Sequence, residues 1–268
     1  MKKALAIAAF LALAVASGCG FSSEKTGGSG KRVTLYAANE VGFPEAIEGC
    51  NKKAGGRYSI SYVPLPRTAD AQRELMARRL AAEDTDIDLL SMDIPWTAEF
   101  AEAGWIREWA GARGQKALEG RLEGPKETVQ YRDKIWATPF TTNGQLLFCR
   151  KDKVKEPPED FTWDDMIDDA EAKKTGIEVQ AARYEGLVVW VNSLVASGGG
   201  SLIGKDGEPQ LDESTKKAAE IISRLAKSSA APAGMSNNQE DQARQGFESE
   251  RSFYQVNYSF VFLSLIHI

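Results

Sequence analysis

The amino-acid sequence predicts an α/β fold built as two lobes. Between residues 32 and 92, strand-like segments alternate with helix-like segments, which is the pattern of a parallel sheet covered by helices on both faces. After about residue 140 the rhythm changes, because helices follow one another and strands become sparse. The composition, 43% hydrophobic and 26% charged over 268 residues, is that of an ordinary globular protein. We therefore predict a first lobe over residues 32–140 and a second lobe over residues 141–262.

Three strands and two helices are predicted at the start of the first lobe. Residues 32–38 are rich in Val, Leu and Tyr, and residues 58–63 alternate with period two. Residues 87–92 contain a continuous apolar run, as buried parallel strands do. Between the strands, a proline in the first turn favours a helix over residues 44–53, and a threonine cap favours another over residues 68–82.

The rest of the chain is predicted to be mainly helical. A short helix over residues 97–103 ends at Gly104, since glycine supplies the left-handed geometry of a helix C-terminus. Residues 135–138 read as an extended segment that crosses towards the second lobe. In the second lobe, capping residues and the helical spacing of apolar side chains predict helices over residues 162–174, 185–197, 212–227 and 240–247, and a strand over residues 252–256.

The first 19 residues have the pattern of a bacterial export signal that ends in a lipidation site. Two lysines precede an apolar run that is too short to span a bilayer, and small residues follow it. Residues 16–19 resemble a lipobox, at which cleavage leaves Cys19 to carry acyl chains. Each buried methylene contributes about 0.8 kcal/mol, so several chains anchor a protein durably. We expect residues 1–19 to be a lipoprotein signal peptide and the small, polar residues 20–31 to be a flexible tether.

The last six residues, 263–268, do not have the character of a domain end. They resemble the translation of a transposon-end adapter used in preparing sequencing libraries, and a domain rarely stops inside a hydrophobic run. An apolar strand that continues residues 260–262 is the alternative. We expect a non-native tail, in which case His267 is foreign and the natural chain continues further.

Charge and cysteine content argue against several classes of protein. A net charge of −5, without a basic stripe of interleaved aromatic residues, argues against nucleic-acid binding. The sequence has no metal-ligand spacing, and we expect neither a metal nor a cofactor. Outside the cytoplasm a disulfide between Cys50 and Cys149 is permitted. Pairing of Cys50 with a cysteine beyond the present chain is the alternative.

Four motifs in a fixed order carry a resemblance to a known family. Residues 93–105 look like the D-x-x-W-x-x-E-F-A-x-x-G-W segment of oligosaccharide-binding proteins, and residues 139–147 look like their P-x-T-x-N-x-x-L-L crossing segment. Residues 184–190 and 247–258 also fit. From about residue 32 to residue 262, the chain resembles family 1 of the extracellular solute-binding proteins of ABC sugar importers. Within that family it is most similar to the trehalose-binding lipoproteins of actinobacteria.

This resemblance implies a fold and a function. The fold is periplasmic-binding-protein-like, with two α/β lobes joined by a hinge that closes over a sugar. The second lobe is expected to be incomplete, because the family's later segments, which contribute further ligands including an arginine, are absent here. The implied function is capture of a disaccharide, trehalose first and maltose-type sugars next, and its delivery to ABC permease subunits. We expect a monomer without enzymatic activity, anchored through Cys19 at the outer face of the cell membrane.

Three polar residues of the first lobe are candidate sugar ligands. Asp93 directly follows the third strand, at the carboxyl end where α/β sheets place ligands, and the resemblance makes it a sugar ligand. A cap of the following helix is the alternative role for Asp93, and the two roles are compatible. Asn39 and Glu40 follow the first strand in the same way and match a sugar-binding loop of the family, although a solvated turn also explains them.

Three more candidates come from the crossing segment and the second lobe. Relatives place an amide against the sugar at the position of Asn143, for which a hinge-capping asparagine is the alternative. Glu240 matches a sugar-binding glutamate by motif spacing, although Asp241 and Glu248 suggest a solvated helical face instead. Tyr258 stands where the relatives have a tryptophan, and it keeps an aromatic platform for a sugar ring.

Other aromatic and acidic side chains near these motifs have more than one explanation. Tyr184 and Glu185 open a helix that faces the cleft in this interpretation, and Glu185 can instead complement the helix dipole. Trp96 and Trp105 are more often core residues than sugar platforms, and we expect Trp105 to be core.

Two other functions are compatible with the sequence. An exported glycoside hydrolase would need two carboxylates about 5–10 Å apart, one with a raised pKa, and Asp93 and Glu240 are the candidate pair. A structural surface lipoprotein explains the anchor but not the polar residues at the strand ends. The sugar-binding interpretation explains both, because a disaccharide needs carboxylates and amides for its hydroxyls and aromatic rings for its C–H faces.

Overall fold

A computed structural model of the protein describes residues 30–204 and 207–265. The expected signal peptide with Cys19, the tether up to residue 29, and the last three residues of the expected tail lie outside the described residues. In the described part of the chain, no helix is both long and apolar enough to cross a membrane.

The first lobe is organised around a three-stranded parallel sheet. Strands β1 (Lys31–Ala37), β2 (Tyr58–Pro64) and β3 (Leu89–Leu90) lie in the order β2-β1-β3, and both pairings are parallel. Helix α1 (Phe43–Ala54) connects β1 to β2, and helix α2 (Ala69–Ala81) connects β2 to β3. The predicted alternation of strands and helices is therefore confirmed, as is its parallel arrangement.

The prediction that the third strand is buried was wrong. Only two residues of the apolar run are paired with β1, and the Leu89 side chain is 44% exposed. Strand β3 lies at the edge of the sheet beside an open cleft, and no other strand among the described residues pairs with its outer side. An apolar run indicates burial only when another element covers it, and the run itself does not show whether that element is present.

The core of the first lobe forms where helix α3 (Trp96–Glu102) packs near the sheet. Met76 and Phe100 are fully buried, and Trp96 is 3% exposed. Trp105 packs edge-on against Phe100, with ring centroids 5.3 Å apart. Both tryptophans of this segment are therefore core residues, as expected for Trp105.

In the last part of the expected first lobe, the chain forms four short elements that were not predicted. They are helix α4 (Gly111–Leu118), helix α5 (Glu123–Thr128) and an antiparallel hairpin of β4 (Gln130–Tyr131) and β5 (Lys134–Ile135). The extended segment predicted from residue 135 overlaps the second strand of this hairpin.

The second lobe has a mixed sheet of three strands. Strands β6 (Gln145–Cys149), β7 (Gly176–Glu178) and β8 (Ser252–Tyr258) lie in the order β6-β8-β7. Strand β6 is antiparallel to β8, and β7 is parallel to it. Of these three strands only β8 was predicted.

Helices surround the core of the second lobe. Thr162 and Asp165 form the predicted capping box at the start of α6, and Asp212 accepts hydrogen bonds from the amides of Ser214 and Thr215 at the start of α8. The core contains fully buried Leu225 and other apolar side chains from the helices and the sheet. The helices are α6 (Trp163–Ala172), α7 (Glu185–Ser197), α8 (Glu213–Lys227), α9 (Glu240–Glu248) and α10 (Phe260–Leu265).

A buried carboxylate joins three elements of the second lobe. Glu178 in β7 is fully buried and accepts hydrogen bonds from Asn238 Nδ2 and Ser252 Oγ, both at 2.8 Å. Arg251, whose side chain is partly exposed, donates a hydrogen bond of 3.1 Å to the same carboxylate. Gly246 in α9 lies against this carboxylate with no room for a side chain. The network fixes the position of α9 on the sheet.

The structure also bears on the chain end and the cysteines. Residues 260–265 are helical in α10, so the alternative of an apolar strand at this place was wrong. Cys50 lies on α1 in the first lobe, Cys149 lies on β6 in the second, and both are free. The disulfide between them that the sequence permitted is therefore not formed in this structure.

Candidate functional site

A cleft opens between the two lobes and continues as a groove along the first lobe. Together they enclose about 2460 Å³. Pockets for small ligands are typically about 300–1,000 Å³, so the cleft and groove together have more than enough volume for a disaccharide. Five of the six candidate sugar-binding residues line this one cavity: Glu40, Asp93, Asn143, Glu240 and Tyr258.

The first lobe contributes side chains that follow its strands. Glu40 lies beyond β1 and Asp93 beyond β3, at the carboxyl ends of neighbouring strands. Asp93 Oδ1 accepts a hydrogen bond of 2.8 Å from the amide of Ile94. Asp93 is not the cap of the following helix. Helix α3 begins at Trp96, directly after Pro95, and no side chain caps its start. Asn39 is exposed and is not among the residues that line the cavity.

Asn143 lies where two chain segments cross between the lobes. Its Oδ1 accepts hydrogen bonds from the amide of Gly144 at 2.9 Å and from Ser259 Oγ at 3.1 Å. These hydrogen bonds are compatible with the capping interpretation of this residue. Asn143 also lines the cavity, so a second role towards a ligand is compatible with the first.

The second lobe places Glu240 at the start of α9 and Tyr258 at the end of β8. Asn257 Nδ2 donates a hydrogen bond of 3.0 Å to the carbonyl oxygen of Glu240, which joins the two elements at the cleft. The neighbouring acidic residues Asp241 and Glu248 form ion pairs with Arg244. Glu240 is half-buried and lines the cavity, so it differs from the solvated helical face that its neighbours suggested.

Glu185, the first residue of α7, belongs to the cleft. From the sequence alone, its carboxylate was also explained as a partner of the helix dipole. Burial, and after it the negative charges of Asp93, Glu240 and Asp70, raise its pKa to about 7. The positive end of a helix dipole acts oppositely, because it favours an anion. The dipole interpretation of Glu185 is nevertheless compatible with its place in the cleft, since it is the first residue of the helix.

The two tyrosines beside Glu185 share its acidic surroundings. Burial raises the pKa of Tyr258 well above its usual value, and the nearby Glu185, Glu240 and Asp93 add to that effect. Burial and the adjacent Glu240 do the same to Tyr184. The Tyr184 hydroxyl is buried and has no partner at hydrogen-bond geometry among the described residues. Both phenols thus remain neutral donors facing a cluster of acceptors.

Asp70 is a cleft residue that sequence reasoning missed. It lies in the first turn of α2, which Thr68 caps through a 3.3 Å hydrogen bond from the amide of Ala71. An acidic residue in the first turn of a helix is fully explained by local structure. Only the approach of the second lobe brings Asp70 close to Glu185, and no local pattern indicates that.

One ion pair bridges the lobes beside the cleft. Arg67, just before α2, contacts Asp241 in α9. The Arg67 side chain is 81% exposed, so this pair contributes little to the free energy of holding the lobes together. In the part of the chain that the structure describes, no three acidic, thiol or imidazole side chains are arranged to hold a metal ion.

Comparison with known proteins identifies the family. The family model of bacterial extracellular solute-binding proteins matches residues 38–265. The chain belongs to this family. Its members act outside the cytoplasm with the permease subunits of ABC transporters, and the family gives no support to a hydrolase.

Similar proteins agree with this assignment. A probable ABC transporter-binding protein of Deinococcus radiodurans is 24% identical over 256 residues, which are 86% of this chain and 59% of that protein. Maltose-bound MalE3 of T. maritima has a TM-score of 0.75 at 24% identity, over 86% of this chain and 62% of its own. The GacH receptor of Streptomyces glaucescens, solved with acarbose, has a TM-score of 0.70 at 19% identity, over 85% and 60%.

These likenesses establish the periplasmic-binding-protein-like fold. The chain spans about 60% of the length of the solved proteins that it matches, which agrees with a second lobe that is incomplete relative to theirs.

Proposed function

We propose that this protein captures a disaccharide in the cleft between its lobes and delivers it to a membrane permease of the ABC type. Trehalose is the first candidate ligand, and maltose-type sugars are the second. The observation that supports this proposal best is that Glu40 and Asp93 from the first lobe face the same cavity as Glu240 and Tyr258 from the second. Residues from both lobes are needed if ligand binding is to draw the lobes together.

The chemistry of the lining suits a neutral sugar. Carboxylates accept hydrogen bonds from pairs of hydroxyls, and each such bond to a charged group contributes about 1.5–3 kcal/mol. The Tyr258 ring offers an apolar face for sugar C–H groups. A site of this kind rejects analogues that lack one hydroxyl, because a buried polar group is then left without a partner. Asn39 and Asn143 remain proposed ligands, with Asn39 requiring a change in its loop to reach the cavity.

The proposal extends to the protein's place in the cell. The lipobox-like sequence at Cys19 supports a lipid anchor at the outer face of the cell membrane. We propose a monomer that binds sugar without chemical change, since its proposed task is capture and not turnover.

Calorimetric titration of the purified full-length protein with trehalose tests the proposal, with sugar analysis of the same mixture afterwards. Saturable binding with trehalose recovered intact is the expected result. Release of glucose would instead indicate a hydrolase. Absence of binding by trehalose and by maltose would contradict the proposed function.

A further inference from the structure

A buried amide ties together two elements of the second lobe that form the cleft. Asn257, in β8, is fully buried, and it is not among the residues that line the cavity. Its Nδ2 donates a hydrogen bond of 3.0 Å to the carbonyl oxygen of Glu240, the first residue of α9. Its Oδ1 accepts a hydrogen bond of 2.9 Å from the amide of Tyr258. Asn257 thus contacts the backbone of two residues that line the cavity.

The two hydrogen bonds have different roles. The bond to Tyr258 is local, because it joins neighbouring residues of the chain, and it fixes the orientation of the Asn257 amide. An amide oxygen accepts hydrogen bonds and an amide nitrogen donates them, so this orientation presents Nδ2 to the carbonyl of Glu240. The bond to Glu240 joins residues 17 positions apart in the chain. It is this second bond that ties the first turn of α9 to the end of β8.

The contacts of α9 with the Glu178 carboxylate hold other parts of the helix. Asn238, before the helix begins, donates to this carboxylate at 2.8 Å. Gly246 lies against the same carboxylate in the second half of the helix. Neither contact reaches the first turn, where Asn257 holds the carbonyl of Glu240. The position of this turn relative to the cleft therefore depends on the Asn257 amide.

We propose that Asn257 is a positioning residue of the sugar site, which acts through Glu240 and does not touch the sugar. This inference rests on the proposed function and adds to it a residue outside the cavity. A carboxylate makes a strong hydrogen bond to a sugar hydroxyl only within a narrow range of distance and angle. A first turn that is fixed to the sheet before the sugar arrives also loses less freedom on binding, which favours affinity. Loss of the Asn257 amide should therefore weaken sugar binding although no direct contact with the sugar is lost.

Calorimetric titration of the full-length protein with trehalose tests this role. Asn257→Ala should weaken binding about 10-fold or more, which corresponds to the loss of one hydrogen bond to a charged group. In a Glu240→Ala background the same change should weaken binding less than about threefold, because the residue through which Asn257 acts is already missing. An equal loss in both backgrounds would overturn the proposal, as would an unchanged affinity of Asn257→Ala.

A matched control separates positioning from a loss of stability. Leu225→Ala also truncates a fully buried side chain of the second lobe, on α8 and away from the cavity. Such a change lowers Tm because it leaves a cavity in the core, but it leaves the contact between Asn257 and Glu240 intact. At a temperature where both variants are folded, the trehalose affinity of Leu225→Ala should equal that of the unaltered protein within about twofold. A loss as large as that of Asn257→Ala would show that lowered stability explains both, and would overturn the proposal.

Hydrogen exchange without sugar tests the contact itself. In Asn257→Ala, the amide hydrogens of α9 should exchange faster, and their exchange should accelerate more than that of the amide hydrogens of α8. Equal acceleration in both helices, or no acceleration in α9, would overturn the proposal. Absence of trehalose binding by the unaltered protein would overturn the proposed function, and the exchange of α9 would still decide whether Asn257 holds the helix.

Discussion

Gly246 provides a test in which the structure reverses the usual effect of a substitution. In the interior of an exposed helix, Gly→Ala stabilises by about 1 kcal/mol, because alanine has the better helix propensity. In α9, a Cβ atom at position 246 would overlap the carboxylate of Glu178 and the guanidinium of Arg251. Glu178 has no freedom to move away, since Asn238 and Ser252 hold it by hydrogen bonds at 2.8 Å.

The magnitude follows from these contacts. Overpacking of a core typically costs about 1–3 kcal/mol. Each buried donor that loses Glu178 as its acceptor costs about 1–3 kcal/mol more. If one donor loses its acceptor, these costs exceed the gain of about 1 kcal/mol in helix propensity, and Gly246→Ala should lower the free energy of unfolding by about 1–5 kcal/mol.

Urea denaturation followed by tryptophan fluorescence measures this effect. The matched control is Gly49→Ala in α1, where a Cβ atom meets nothing within 4 Å and the backbone is helical. The control should stabilise by about 0.5–1 kcal/mol, which is the propensity effect alone. If Gly246→Ala is as stable as the unaltered protein or more so, the described packing of α9 on Glu178 is wrong.

Three further predictions concern other contacts. Glu178→Ala should lower the free energy of unfolding by about 3–5 kcal/mol, because it breaks a buried charged network. In the same urea titration, the control Glu159→Ala in the exposed loop before α6 should change the free energy of unfolding by less than about 0.5 kcal/mol. Arg67→Ala should change trehalose affinity less than about fivefold in calorimetry, because its ion pair is exposed, and a loss of 50-fold would contradict this. Asp93→Ala should weaken trehalose binding by about 1.5–3 kcal/mol with little change in Tm of the sugar-free protein, since its carboxylate makes one exposed hydrogen bond there. Equal affinity of Asp93→Ala, with the exposed Asp86→Ala as its control, would remove Asp93 from the site.

The elements that could be predicted from sequence are those with local signals at their ends. Thr162 with Asp165, and Asp212, indicated helix starts that the structure has at the same places. The parallel sheet of the first lobe followed from the alternation of strands with helices.

The missed elements lack such signals. Strand β7 is three residues long and contains a fully buried glutamate, so its pattern does not look apolar. The hairpin turn between β4 and β5 has positive φ angles at Arg132 and Asp133, where glycine or asparagine would normally indicate a turn. Helix α4 follows Ala110, which offers no side-chain cap. In these places tertiary contacts, and not local propensity, determine the structure.

The candidate site was predictable where it depends on the ends of strands. Asp93 and Glu40 follow β3 and β1, and this position alone directs them to one edge of a parallel sheet. Asp70 and Glu185 were not among the predicted ligands, because an acidic residue in the first turn of a helix already has a local explanation. The family resemblance had placed the helix of Glu185 at the cleft. The relation of Asp70 to the cleft depends on how the two lobes face each other, which is a long-range property.

A crystal structure of the protein grown with trehalose tests the proposed sugar site directly. We expect one sugar between the lobes, with the carboxylates of Asp93 and Glu240 each about 2.6–3.2 Å from a sugar hydroxyl. A sugar held by one lobe only, or located away from these two carboxylates, would contradict this expectation.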